Sequence, residues 1–134
     1  VTGVQTCALP IWRNDMSISE KNKINKLDVL TNAYLKAGKE MGLTQKELGK
    51  IIGKGQSSIS RSSVDPDSKT GEIAKIFIRI YRAIFVLVGG DNKQIKHWMR
   101  TLNSHTRGIP AEQIQSISGL MTVVGYLDAI RGKV

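Results

Sequence analysis

The side chains best suited to chemistry lie between residues 45 and 61, and the chemistry that they suit is hydrogen bonding to nucleic acid. Gln56 carries a side-chain amide that can pair with both N6 and N7 of adenine in the major groove of DNA. Ser57 and Ser60 can donate to, or accept from, base edges and phosphate oxygens, and Ser58 is a further candidate. Three cations could contact backbone phosphates, although each could equally be a solvated surface charge: Lys46, Lys54 and Arg61.

The overall charge of the chain is compatible with a nucleic-acid partner. The 134 residues include 20 Lys and Arg against 11 Asp and Glu, which gives a net charge of +9. A chain this basic favours a polyanionic partner, although basic residues can also serve only to keep a surface soluble. Charge therefore leaves both interpretations open, and the elements that position the side chains have to decide between them.

Catalytic and metal sites are not indicated by the sequence. The two histidines, His97 and His105, are separated by a predicted loop boundary, and no carboxylate or cysteine cluster has the spacing of a metal site. Asp65 and Asp67 flank a proline, which is typical of a turn rather than of an acid–base pair. We therefore expect no enzymatic activity, no cofactor and no metal. We also expect no membrane span, and a cytoplasmic protein.

The elements that would position the candidate residues form a helix-turn-helix. Apolar residues recur at helical spacing over residues 24–41. Thr44 and Glu47 have the spacing of a capping box, which predicts a second helix. Residues 53–55 predict a glycine turn, and residues 56–62 a third short helix. In this arrangement the third helix enters the major groove of DNA while the second crosses the backbone.

The rest of the chain also shows a helical period. The apolar pattern over residues 73–88 predicts a long helix that could serve both the core and a two-fold contact. Three shorter helices are predicted behind it: one capped by Asp91, one opened by Pro110, and one that starts near Gly119 and ends in a cap at Gly132. The fold class is therefore all-α, with an N-terminal helix-turn-helix domain followed by a small helical bundle. The residues expected to face inward include Phe85, Leu102 and Ile117.

These predictions divide the chain into four segments. Residues 1–11 resemble the translation of a sequencing-adapter oligonucleotide, so we expect residues 1–15 to be an artefact and Met16 to be the native start. The single cysteine, Cys7, lies in this stretch. The other segments are a helix-turn-helix domain over 16–70, a connecting helix over 71–88 and a C-terminal domain over 89–134.

The helix-turn-helix region resembles the Xre and phage-repressor class over residues 42–61. The residues that carry this resemblance are Leu43, Thr44, Gln45, Leu48, Ile52, Gly53, Ser57, Ile59, Ser60 and Arg61. The resemblance implies that Gln45 binds a phosphate at the start of the second helix. The sequence departs from the common pattern at Gly55, where a capping Ser or Thr often stands.

The C-terminal part, over about residues 89–134, resembles the toxin-binding domain of the Xre/ParS/MbcA antitoxins. The spacing that carries this resemblance runs through Trp98, Asn103, Gly108, Pro110, Gly119 and Gly132. Members of this family bind a co-encoded RES-type toxin, an enzyme that acts on NAD, and repress their own operon as oligomers. Trp98 itself we interpret as a core residue rather than a partner contact.

The resemblance also implies that the C-terminal end of the chain reaches the active-site cleft of the toxin. The expected toxin-binding residues are therefore Arg131, Gly132, Lys133 and Val134. We expect Arg131 and Lys133 to pair with acidic groups at the rim of the cleft, and the Val134 carboxylate to enter it in place of a phosphate. Two other functions remain open: a stand-alone transcriptional regulator without a toxin, and an interaction scaffold that no longer binds DNA.

Overall fold

A computed structural model describes residues 26–54 and 64–132 of the chain, and these residues form an all-helical fold. The predicted all-α class is thereby confirmed. No named strand occurs in the described ranges, where a single isolated bridge joins Asn103 to Gly108. The predicted third helix over residues 56–62 and the predicted artefact over residues 1–15 lie outside the described residues. The helices are α1 over residues 26–40, α2 (Gln45–Ile52), α3 (Lys69–Leu87), α4 (Asn92–Arg100), α5 (Pro110–Gln113) and α6 (Ile117–Gly132).

The ends of α2 follow directly from its sequence. The Thr44 hydroxyl accepts from the Glu47 amide at 3.2 Å, and the Glu47 carboxylate accepts from the Thr44 amide at 3.0 Å. Both halves of the predicted capping box are therefore present. Gly53 ends the helix with a φ of 72°, a left-handed conformation that glycine adopts without steric cost. The second helix and the start of the glycine turn are thus confirmed.

The long helix α3 begins four residues earlier than the apolar pattern predicted. Ser68 is its N-cap, and the Ser68 hydroxyl accepts from the Gly71 amide at 3.0 Å. The first turn of α3 carries no large apolar side chain, so the apolar pattern does not predict it. Gly71 allows the close approach of the preceding turn, because a Cβ at this position would collide with the Asp65 carbonyl oxygen and with Pro66.

A single hydrophobic core spans the described helices. Its buried residues run from Leu30 in α1 to Leu127 in α6. The helix α3 packs against α2, α4 and α6, and α5 packs against α4 and α6. The ring centroids of Tyr34 and Phe77 lie 4.9 Å apart, and this contact joins α1 to α3. The predicted domain division stays a prediction, but the two halves share this core.

Two buried polar groups hold α1 to its neighbours. The Tyr34 hydroxyl donates to the Leu48 carbonyl of α2 at 2.6 Å. The Thr31 hydroxyl donates to the Leu27 carbonyl and accepts from the Val64 amide, both at 2.8 Å. Buried polar groups must find partners because an unpaired one costs about 1–3 kcal/mol. These bonds therefore help to set the relative positions of α1, α2 and the segment before α3.

Several residues predicted to face inward are exposed, and the reasons are local. Leu102 is 71% exposed because the chain leaves the helical conformation at Thr101, which takes extended dihedrals. Ile117 is 68% exposed in the first turn of α6, and Phe85 is 43% exposed near the end of α3. The last helix ends at Gly132 as predicted, but Gly132 is itself helical and its φ is not in the left-handed region, so the predicted cap is wrong.

Candidate functional site

The predicted DNA-binding residues fall into two groups. Gln45 and Lys46 are adjacent and exposed in the first turn of α2, and Lys54 is half-buried just beyond its C-terminal end. The first turn of a helix offers unpaired amides and the positive end of the helix dipole, both of which suit a phosphate. The remaining predicted residues lie outside the described ranges: Gln56, Ser57, Ser58, Ser60 and Arg61.

The same first turn is tied to the C-terminal half of the chain through Arg100 of α4. Its guanidinium donates from Nη2 to Glu47 Oε1 at 2.8 Å and from Nη1 to Glu47 Oε2 at 3.0 Å. Nη2 also donates to the Gly42 carbonyl at 3.0 Å, and the Gln115 amide donates to Glu47 Oε2 at 3.4 Å. A two-pronged bond of this kind fixes orientation as well as distance. The helix that carries Gln45 is therefore anchored to the C-terminal helices.

Sequence reasoning identified Glu47 as a capping residue but missed its second role. Arg100 lies 53 residues further along the chain, and Gln115 lies 68 residues further. No local pattern connects positions so far apart. The only signal in the sequence was the capping box. It accounts for the bond between Glu47 and Thr44 but not for the bonds with Arg100 and Gln115.

The ion pair makes a testable contribution to stability. The hydrogen bond from Arg100 lowers the pKa of the Glu47 carboxyl below its ordinary value of 4.5, assisted by the Thr44 amide and opposed by partial burial. A carboxyl whose pKa is lower in the folded state stabilises the fold above its unfolded pKa, and this contribution is lost as the pH falls through the folded pKa. We expect Glu47→Gln to lower the urea midpoint at neutral pH, and the difference from the parent chain to shrink below a pH of about 4.5.

The control for this prediction is the other partner of the pair. Arg100→Gln should reproduce most of the neutral-pH loss, and the double variant should add little to either single one, because both remove the same interaction. Equal midpoint differences at neutral and acid pH would show that the charge of Glu47 contributes nothing.

The loop between α4 and α5 contains Asn103 and Gly108, two of the positions that carry the resemblance. The Asn103 side chain accepts from the amides of His105 and Thr106 at 2.9 and 3.3 Å, and the Asn103 amide donates to the Gly108 carbonyl at 2.9 Å. Arg107 has a φ of 61°, so the turn closes through the left-handed region. The loop is therefore an ordered turn built around Asn103.

Gln113 connects this turn to the last helix. Its side-chain amide donates to the Thr106 carbonyl at 2.7 Å. A Cβ at Gly108 would stand 2.8 Å from the Gln113 side chain, and a Cβ at Gly119 would collide with the Gln113 carbonyl oxygen. Both glycines thus permit the close packing of the turn, α5 and α6. Gly108 and Gly119 are two of the positions that carry the resemblance.

The last turn of α6 carries two of the four predicted toxin-binding residues. Arg131 and Gly132 are both exposed, while Lys133 and Val134 lie outside the described residues. One turn earlier, Asp128 pairs with Arg79 of α3 at 2.8 Å, which ties the end of α6 to the middle of α3. Trp98 is half-buried and packs against the core, in agreement with the interpretation as a core residue.

No group of three or more potential metal-ligating side chains occurs within residues 26–54 and 64–132. No helix in the same ranges is long and apolar enough to cross a membrane.

No curated protein matches the sequence of this chain. Residues 82–133, from the end of α3 through α6, match the family model described as the antitoxin Xre/MbcA/ParS C-terminal toxin-binding domain.

Proposed function

We propose that this chain is a type II antitoxin that binds and neutralises a RES-type toxin and represses its own operon. The observation that carries the proposal is the match of residues 82–133 to the antitoxin toxin-binding domain. The chain would act by binding rather than by catalysis, in the cytoplasm. The N-terminal half supports the repressor role, because α1 and the capped α2 present Gln45 and Lys46 where a helix-turn-helix contacts phosphate.

Operator binding would need two copies of the chain. One short recognition helix reads few bases, and repressors of this kind pair two half-sites about one helical turn apart. We therefore propose that the chain binds its operator as a homodimer or as part of a larger complex with the toxin. The bases would be read by Gln56, Ser57 and Ser60, with Ser58 as a further candidate. The phosphates would be contacted by Gln45, Lys46, Lys54 and Arg61.

The sharpest prediction for DNA recognition concerns Gln56. Replacing it with alanine removes the amide that would pair with adenine, so we expect a loss of about 1–3 kcal/mol in operator affinity and a relaxed preference at one base. Fluorescence anisotropy with the DNA upstream of the coding sequence measures the loss. Gln94→Ala is the matched control, since Gln94 is an exposed glutamine on α4, outside the predicted helix-turn-helix. Unchanged affinity and base preference in Gln56→Ala would refute the assignment.

The toxin contact is proposed to include Arg131, Gly132, Lys133 and Val134. Deleting residues 132–134 should remove neutralisation of the toxin while leaving operator binding intact, because these residues follow the last core residue of α6, Leu127. Growth of cells that co-express the toxin reports neutralisation, and anisotropy reports DNA binding. Full neutralisation by the shortened chain would exclude these residues from the toxin contact.

A further inference from the structure

A wide groove runs along the outer face of α3, between this helix and α1, and ends at Arg131 of α6. Its volume is about 1260 Å³. Leu30, Ile78 and Tyr81 contribute to its lining. Val29 and Val86 are each 68% exposed in it, and Phe85 is 43% exposed. The groove therefore exposes apolar side chains to solvent, which is typical of a surface that binds a partner.

The rim of the groove is basic. Five cations line it, Lys26, Lys75, Arg79, Arg82 and Arg131, and no carboxylate does. Two of these cations are engaged within the described fold, because Arg79 pairs with Asp128 and the Lys75 ammonium donates to the Pro66 carbonyl at 2.9 Å. Among the described residues, Lys26, Arg82 and Arg131 form no ion pair with a carboxylate. Within the part of the chain that the structure describes, three charges at the rim are thus left for a partner.

The apolar lining of the groove forms its floor. This floor and the five cations of the rim together limit the kind of partner that can bind. A second copy seated groove to groove would bring five cations against five, in a chain of net charge +9. Duplex DNA would match the rim but would leave the apolar floor against hydrated phosphates. An amphipathic helix with one apolar and one acidic face satisfies both, since its apolar side chains cover the floor and its carboxylates reach the rim. From Lys75 to Val86 the groove extends roughly 16 Å along α3, or about three helical turns.

We propose that this groove binds an acidic amphipathic helix of a protein partner. On the function proposed above, on which this assignment of the partner rests, the toxin supplies that helix. The contact surface would then include residues of α1, which precede the segment matched by the family model, as well as Arg82, Phe85 and Arg131 within it. The toxin would be held along α3 as well as at the end of α6.

The first experiment uses the full chain and a synthetic peptide of about four helical turns, with leucines on one face and glutamates on the other. Fluorescence anisotropy should show saturable binding. Arg82→Glu should weaken it by about tenfold or more, because the charge at the rim is reversed. Phe85→Ser should weaken it by removing floor surface. Lys93→Glu is the matched control, since Lys93 is exposed on α4 and does not line the groove, and it should bind as the parent chain does.

The peptide controls separate the two features of the groove. A peptide with lysines in place of glutamates, and one with serines in place of leucines, should both fail to bind. No binding of the acidic peptide, or equal binding by Arg82→Glu and the parent chain, overturns the proposal. It is also overturned if Val86→Arg dissociates a homodimer of the chain, or if duplex DNA or vesicles of anionic phospholipid compete for the groove with higher affinity than the peptide.

The second experiment uses the toxin itself and keeps the two proposals distinguishable. If the parent chain captures the toxin and Arg82→Glu captures it far less well, both proposals are supported. If both chains capture it equally, the groove assignment fails and the antitoxin function stands. If the acidic peptide binds in the groove but the parent chain does not capture the toxin, the chemistry of the groove stands and the antitoxin function fails.

Discussion

Replacing Phe77 with alanine should destabilise the fold by about 3–5 kcal/mol, the cost typical of deleting a buried aromatic side chain. Phe77 is fully buried in the middle of α3, the helix against which α2, α4 and α6 pack. Its ring contacts Tyr34 with centroids 4.9 Å apart, so the substitution also loosens α1. Urea unfolding followed by circular dichroism measures the effect as a lower midpoint.

The matched control is Phe85→Ala in the same helix. Phe85 is 43% exposed and faces the groove, so its removal leaves little or no internal cavity. We expect a change in the free energy of unfolding within about 1 kcal/mol, as for most surface substitutions. Similar losses for the two variants would mean that Phe77 is not at the centre of the core. The pair also separates stability from binding, because only Phe85 lies in the proposed docking groove.

Gly119→Ala should be the second large effect, with a loss of about 1–3 kcal/mol or more from overpacking. The new methyl group would collide with the carbonyl oxygen of Gln113 and stand 2.6 Å from its carbonyl carbon. Both atoms are backbone, so they cannot move aside as a flexible side chain would. The Gln113 carbonyl also accepts from the Ser116 amide at 3.2 Å, and a shift of α5 would disturb this turn. Thermal unfolding measures the loss as a lower Tm.

Gly125→Ala provides the matched control within α6. A Cβ at Gly125 meets no atom within 4 Å, and the residue is exposed in the helix interior. Alanine should therefore stabilise the fold by about 0.5–1 kcal/mol, because glycine loses more chain entropy in a helix. The same substitution should thus destabilise the fold at Gly119 and stabilise it at Gly125. Equal effects at both would contradict the packing of α5 on α6.

Much of the fold could be predicted because its signals are local. The capping box at Thr44, the cap at Asp91 and the first-turn position of Pro110 each depend on residues a few positions apart, and all three are present. The apolar period located α3 but placed its start at Ile73, since the polar first turn behind Ser68 carries no period. Burial was harder to predict at element ends, as Leu102 shows, because the chain direction changes there.

The candidate sites divide in the same way. The match to the antitoxin C-terminal domain could be predicted from the spacing of glycines, Asn103 and Pro110, which are close in sequence. The pairing of Arg100 with Glu47 could not, because it joins residues 53 positions apart. The groove could not be predicted either, since it depends on how α1 lies beside α3. It also depends on exposed side chains that periodicity assigned to the core. Long-range packing therefore supplied what local patterns lacked.

The most direct test of the account is co-expression of this chain with the RES-type toxin that the proposed function requires. The toxin alone should arrest growth, and the full chain should restore it. The two proteins should elute together in size-exclusion chromatography at a mass above that of either. Continued growth arrest, with the folded chain and the toxin eluting separately, would contradict the antitoxin function. It would leave open the two other functions, a stand-alone transcriptional regulator and an interaction scaffold.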